Sequence, residues 1–213
     1  TILTMHRAFG SGQRVTTPSF MSPDALGKPL VFVSVIPDSV NIYLQGGKNK
    51  MVGQITGLTS PSGVATDKAS NLYVTSASSG GLSIVLVYAP PYTGAPTLTL
   101  DDGAFFADGV AVSRAGVVAI TNSCSAPSCS AGSGSVTFYA KNSTTPCATV
   151  LADPTLYPFG LNYGAFDDNG NLYVDSSDGS TSLMGKISGG CQATKIKPLT
   201  TTNTILFAQG IQV

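Results

Sequence analysis

The residues able to do chemistry in this chain are few and restricted in type. All 11 acidic residues are Asp, with no Glu, and the only imidazole is His6. Serine nucleophile chemistry would have to borrow His6 from the N-terminal stretch, and there is no Gly-x-Ser-x-Gly elbow to present a serine. Glutamate general acids, His-Glu-x-x-His zinc sites and calcium loops closed by Glu are excluded by composition. Two adjacent carboxylate pairs, Asp101 with Asp102 and Asp167 with Asp168, could in principle share acid and base roles. Both lie in stretches that read as turns, where Asp accepts from nearby backbone amides, and that is the role expected of them. Cys124, Cys129, Cys147 and Cys191 show no Cys-x-x-Cys spacing, so two disulfides are expected rather than a zinc site. Asn142 opens an Asn-Ser-Thr glycosylation sequon.

The elements that must position these groups are constrained by the composition. The chain has 213 residues, room for one domain, and only 10% of them are charged, against about 25% in an ordinary soluble domain. Eleven Lys and Arg balance the 11 Asp. That balance leaves no basic stripe for a phosphate backbone and no polybasic membrane patch, so no nucleic-acid partner and no membrane insertion are expected. The longest apolar runs, LVFVSVI (30–36) and SIVLVYA (83–89), are strand-sized and far short of the roughly 18–20 residues that cross a bilayer. The sequence starts at Thr1 with neither a charged nor an apolar leader region, so any signal peptide is expected to have been removed. Together with 48 Ser and Thr residues, the even cysteine count points to a secreted, extracellular or periplasmic protein with a neutral polar exterior.

Self-similarity organises the chain. GVATDKASNLYVT (63–75) aligns without gaps on GVAVSRAGVVAIT (109–121) and on YGAFDDNGNLYVD (163–175). LVFVS (30–34) matches the second half of the unit, and GIQV (210–213) matches the first half. A period in the forties to fifties suits four-stranded propeller blades better than helical repeats. Within each unit short β-rich runs alternate with turn residues, and nothing reads as a long helix. The second unit reads as strands GVATD, NLYVTSA, SIVLVYA and TLTLD. The third reads as GVAVS, VVAITNS, SVTFYAK and ATVLA. The fourth reads as YGAFD, NLYVDSS, SLMGKIS and a weaker strand at 196–200. The first offers PLVFVSVI, SVNIYLQ and MVGQITG, its inner strand unassigned. Gly63, Ala65, Gly109, Ala111, Gly164 and Ala165 are small because inner strands crowd around an axis. The expected fold is an all-β propeller of about four antiparallel four-stranded blades. An N-terminal arm or closing strand (1–20) precedes blades at about 21–58, 59–101, 102–152 and 153–200, and 201–213 starts or closes a further blade.

The unit GxAxDxxGNLYV, followed by an apolar strand, resembles the NHL-type β-propeller repeat of secreted bacterial proteins. The second and fourth units carry it well, while the third has Ser113 for the usual Asp and Val117 for the usual Asn. On such a propeller Cys124 and Cys129 share a loop between second and third strands. Cys147 and Cys191 fall in loops between third and outer strands of neighbouring blades, so the pairing expected is 124 with 129 and 147 with 191. Four units followed by one strand leave two arrangements open. GIQV supplies the missing inner strand of the first blade, closing a four-bladed ring, or further blades follow, as the six-bladed norm of the resembling family favours.

Propeller ligands sit at the channel mouth, lined by loops that lead into the inner strands and by those between second and third strands. Those segments hold TSPSG (59–63), FFADG (105–109), YPFGLN (157–162) and FAQG (207–210). The candidate ligand-binding residues are Phe105, Asp108, Asn122, Tyr157, Phe159, Asn162 and Asp175, with Asp178 nearby, although capping of the core by the aromatics is the plainer role. The leading reading is a non-catalytic binding or structural module, without a cofactor, that self-associates or joins a protein partner in an extracellular or cell-surface assembly. The alternative is a calcium-dependent lactonase or gluconolactonase-like hydrolase acting at the channel through Asp108, Asn122, Asn162 and Asp175, without the Glu such a site ordinarily includes.

Overall fold

The architecture comes from a computed structural model that describes residues 18–46, 48, 50–78, 82–124, 134–177 and 182–200, and not the side chain of Phe105. Sixteen strands form four antiparallel four-stranded sheets among these residues. The first sheet contains β1 (Phe20–Met21), β2 (Leu30–Val35), β3 (Ser39–Leu44) and β4 (Met51–Ile55), in the order β1-β4-β3-β2. The second runs β5 (Val64–Thr66), β6 (Leu72–Ala77), β7 (Ser83–Tyr88) and β8 (Leu98–Asp101). The third runs β9 (Phe105–Val112), β10 (Val118–Cys124), β11 (Ser135–Tyr139) and β12 (Pro146–Leu151). The fourth runs β13 (Gly164–Phe166), β14 (Leu172–Ser177), β15 (Ser182–Ile187) and β16 (Lys197–Leu199). Two short 3-10 turns, Pro23–Ala25 and Gly190–Gln192, are the only helical turns among the described residues. Up-and-down sheets of this kind, packed face to face around an axis, are propeller blades.

The apolar runs follow from this packing. Leu72 and Val74 of β6 join Val40, Ile42, Val52 and Ile55 in the core between the first and second sheets. Tyr73, between them in sequence, turns with Val85 and Val87 toward Leu100, Val110, Ile120 and Tyr139 in the core between the second and third. Successive side chains leave opposite faces of a strand. A blade with a neighbour on each side therefore needs an apolar residue at nearly every position of its middle strands. The core between the third and fourth sheets is built on Val136, Phe138, Val150, Leu161, Leu172, Val174 and Ile187.

The Asp of the repeat is explained by the turn after each inner strand. Asp67 Oδ1 accepts from the backbone N–H of Ala69 (2.9 Å) and of Asn71 (2.8 Å), and its Oδ2 accepts from the Asn71 amide at 2.8 Å. Asp167 repeats the pattern with Asn169 and Asn171 at 3.0, 2.8 and 2.8 Å. In the third unit Ser113 Oγ accepts from Val117 N–H at 3.0 Å, so a shorter acceptor retains one bond of the set. The turn role expected of Asp167 is its role in the fold.

A second repeated bond fixes the register of the units. Thr121 Oγ1 donates to the carbonyl of Asn162 at 2.7 Å, and Ser34 Oγ donates to the carbonyl of Ser62 at 2.7 Å. LVFVS aligned on VVAIT puts Ser34 on Thr121, and Ser62 stands on Asn162 in the same alignment. β2 is accordingly the second strand of its blade, as the repeat indicated, with β3 and β4 as third and outer strands. β1 then adds a further strand outside β4, pairing Phe20 with Gln54 and Met21 with Gly53.

Two details differ from the sequence reading. FFADG is not a loop: β9 begins at Phe105, and pairing of Cys124 with Phe105 carries the inner strand to the end of β10. Cys147 lies inside the outer strand β12 rather than before it, because the turn after β11 is short. The bridge between Cys147 and Cys191 is formed as expected, with Cα atoms 5.0 Å apart. Cys124 is also disulfide-bonded, while Cys129, Asp178 and GIQV lie outside the described residues.

Candidate functional site

The ends of the second strands and the starts of the inner strands meet at one end of the molecule, and the candidate residues cluster there. At this end the register of β9 on β10 passes from Gly109 opposite Thr121 to Ala107 opposite Asn122, leaving Asp108 as the extra residue of a β-bulge. The bulge turns the Asp108 carboxyl toward Ser123, whose side chain hydrogen-bonds to it. Loss of solvent raises this carboxyl above its ordinary range, and the Ser123 hydrogen bond partly opposes the rise.

Asn122 is completely buried. Its amide donates to Asp102 Oδ2 at 2.8 Å and to Ser135 Oγ at 3.1 Å, while its Oδ1 has no hydrogen-bond partner among the described residues. Asp102 Oδ1 accepts from Ala104 N–H, and Asp101 Oδ1 from Gly103 N–H. Asp175 is likewise fully buried, and its Oδ1 accepts from Tyr163 N–H at 2.7 Å. Asn162 enters the network through its backbone, its N–H donating to the Asp175 carbonyl and its own carbonyl accepting from Thr121. Asp101, Asp102 and Asp175 thus fasten the segment leading into each inner strand to the blades beside it.

A polar girdle at this end went unnoticed in the sequence, although a signal for it was present. Ser39, Ser83, Ser135 and Ser182 each open a third strand and each is buried. Ser83 Oγ accepts the N–H of Ala107 in the next blade at 2.8 Å. The residue after the Thr or Asp of the repeat is buried too: Ser76 Oγ accepts from Thr59 N–H at 3.0 Å, and Ser176 Oγ donates to the Gly160 carbonyl. A serine at the same place in four apolar strands is the trace this girdle leaves in the text.

The aromatic candidates divide. Tyr157 is buried between the third and fourth sheets, its hydroxyl donating to the Met184 carbonyl at 3.4 Å. Burial raises its phenol above the ordinary range, and Asp153 adds to the rise. Phe159 is 58% exposed, and Phe106, a neighbour of the proposed Phe105, is 62% exposed. Both come to Ser123. The carbonyl of Phe106 accepts from Ser123 Oγ at 3.4 Å, and Gly160, next to Phe159, lies so close that a Cβ there would collide with the Ser123 backbone. Gly160 has a φ of +78° as well, so this approach of loop to strand requires glycine twice over. Leu156, in the same loop, is 43% exposed.

What this end offers is a rigid frame displaying two phenyl rings beside a partly buried carboxyl. No group of three or more His, Cys, Asp or Glu converges to hold a metal among the described residues. The carboxylate and amide groups named for a calcium site bond instead to the protein around them, Asn122 to Asp102 and Ser135, and Asp175 to Tyr163.

The fold defines the class: a β-propeller. Two solved structures similar to it are the Dos1 propeller, at a TM-score of 0.54 and 9% identity over 78% of this chain and 40% of that one, and apo ctPRC2 in an autoinhibited state, at 0.54 and 16% over 84% and 39%. The chain therefore spans about 40% of the length of these neighbours, and at such identities the likeness is one of fold. No family model matches the sequence, and no curated protein does either.

Proposed function

We propose that this chain is a non-catalytic propeller module, secreted into an oxidising compartment, that binds protein through the end of the molecule carrying Phe106 and Phe159 and takes part in an extracellular or cell-surface assembly. The observation that carries this reading is the pair of largely exposed phenylalanines held against one strand end by Ser123. Large aromatic side chains fixed on a rigid frame are the usual anchors of protein interfaces, and burying them again on a partner recovers the free energy of their exposure. A net charge of zero weakens the repulsion between copies. The Cys147–Cys191 bridge supports an oxidising compartment, and the NHL-type resemblance points the same way.

The test compares the wild-type chain with Phe106→Ser/Phe159→Ser by sedimentation velocity over a concentration series, with thermal melts of both. Concentration-dependent association of the wild type, abolished in a variant that melts at the same temperature, is the expected result. A wild-type chain that stays monomeric throughout, and retains the same proteins from a native extracellular fraction as the variant does, would defeat the reading.

A further inference from the structure

We propose that residues 206–213, LFAQGIQV, form the inner strand of the first blade, lying antiparallel along the free edge of β2 with Gly210 opposite Ser34 and Ile211 opposite Val33. Two independent observations meet here. The first is a gap of definite shape. β2 is a second strand, because Ser34 makes the bond to Ser62 that Thr121 makes to Asn162. In the other three sheets the second strand pairs on its axial side with an inner strand, β5, β9 or β13. β2 ends its sheet on that side among the described residues. An unpaired row of N–H and C=O groups at the axis of a propeller is costly and is a template for one more strand.

The second observation is the sequence of the occupant. LFAQGIQV repeats FFADGVAV of residues 105–112 as Phe-Ala-x-Gly-(Val or Ile)-x-Val, and FFADGVAV is β9, an inner strand in full. The known pairings then set the register. Gly109 faces Thr121, Val110 faces Ile120 and Ala111 faces Ala119; carried through the repeat, these become Gly210 with Ser34, Ile211 with Val33 and Gln212 with Phe32. The glycine has a specific reason to recur. A Cβ on Gly109 would collide with Thr121 Oγ1 and stand 2.8 Å from the Asn162 carbonyl. At position 210 the corresponding atoms are Ser34 Oγ and the Ser62 carbonyl, which already stand 2.7 Å apart. Register in a strand with alternating faces tolerates no slip of one residue, since every side chain would change sides.

The experiment introduces Val33→Cys and Ile211→Cys together into the full chain. A directly opposed antiparallel pair brings Cα atoms to about 4.5–5.5 Å, within the range a disulfide spans. Mild oxidation should consume both introduced thiols within one chain, read by thiol titration, by mass and by a monomer band without reductant, and the oxidised protein should melt above its reduced form. The shifted pair Phe32→Cys with Ile211→Cys, whose side chains leave opposite faces, should stay reduced under the same conditions. A pair at 33 and 211 that stays reduced, or a shifted pair that closes equally well, would overturn the assignment. So would a bridge joining two chains at low concentration, which would make the occupant a second copy.

Discussion

Gly63 and Gly109, the first glycines of two aligned repeats, lie directly against each other across neighbouring blades. A Cβ on Gly63 would stand 2.7 Å from the Asp108 carbonyl, 2.8 Å from Gly109 Cα and 2.9 Å from Val110 N, all backbone atoms of the next inner strand. Gly109 in turn faces the Asn162 carbonyl and Tyr163 Cα of the blade after that. The repeat keeps glycine here because the hub has no room for one carbon, and neither backbone can move without pulling its own sheet.

Gly63→Ala should therefore destabilise by about 1–3 kcal/mol, the usual cost of forcing a methyl into a packed interior. Gly94→Ala is the matched control, since a Cβ at that position meets nothing within 4 Å, and it should be neutral or stabilise by up to about 1 kcal/mol by restricting the unfolded chain. Urea denaturation of the two variants separates the effects, and equal midpoints would remove the crowded hub as the reason for the motif.

The Asp of the motif is predicted to be a turn fastener. Asp67→Ala removes three hydrogen bonds from the turn after β5 and should cost about 1–2 kcal/mol. Asp67→Ser should recover part of that loss, because Ser113 already does the same task with a single bond in the third unit. Midpoints for the three proteins should fall in the order wild type, Ser, Ala; a Ser variant no better than Ala would show that the carboxylate matters for something other than the turn.

How far the text of the sequence reached follows from the same residues. The blades were legible because the inner-strand glycines, the Asp turn and the two-faced apolar second strand recur together, each for a physical reason that holds in every unit. The first blade was half legible: Ser34 keeps its place in the repeat, but the Pro-Asp-Ser link after β2 has no counterpart in the other blades. The site was less legible. Phe105 and Phe106 are adjacent and identical in type, and only the bulge at Asp108 decides which phenylalanine is exposed. Tyr157 and Phe159, two residues apart in one loop, go to the core and to solvent because the loop turns at Gly160, and loop geometry of that kind has no period to read.

The bridge between Cys147 and Cys191 joins the outer strand of the third blade to the turn before the outer strand of the fourth, across a sequence separation of 44. Closing a loop of that length restricts the unfolded chain by about 4 kcal/mol in the chain-entropy account. Replacing both cysteines by serine should lower stability by an amount approaching this while leaving the far-ultraviolet spectrum of the fold unchanged. A loss under about 1 kcal/mol by denaturant titration would mean that the contacts between these blades hold the outer strands without the bridge.

Asp108 gives the pH dependence a direction. Burial at the bulge raises its carboxyl in the folded state, with the Ser123 hydrogen bond opposing in part, so between the unfolded value of about 3.9 and the folded one the native chain holds a proton that the unfolded chain has released. The stabilisation this provides is complete below the unfolded value and is lost as pH rises through the folded one. Asp108→Asn keeps the shape and an oxygen for Ser123 but cannot ionise, so its advantage over wild type should be smallest near pH 3, grow through the carboxylate range and level off toward neutrality. Asp24, Asp153 and Asp167, whose carboxyls are held low chiefly by hydrogen bonds to Lys50, Thr155 and Asn171 respectively, act in the opposite sense but equally in both proteins, and cancel in the difference. Urea midpoints measured at intervals from pH 3 to pH 7 check the claim, and a gap between variant and wild type that does not change with pH would show that Asp108 is not desolvated in the folded protein.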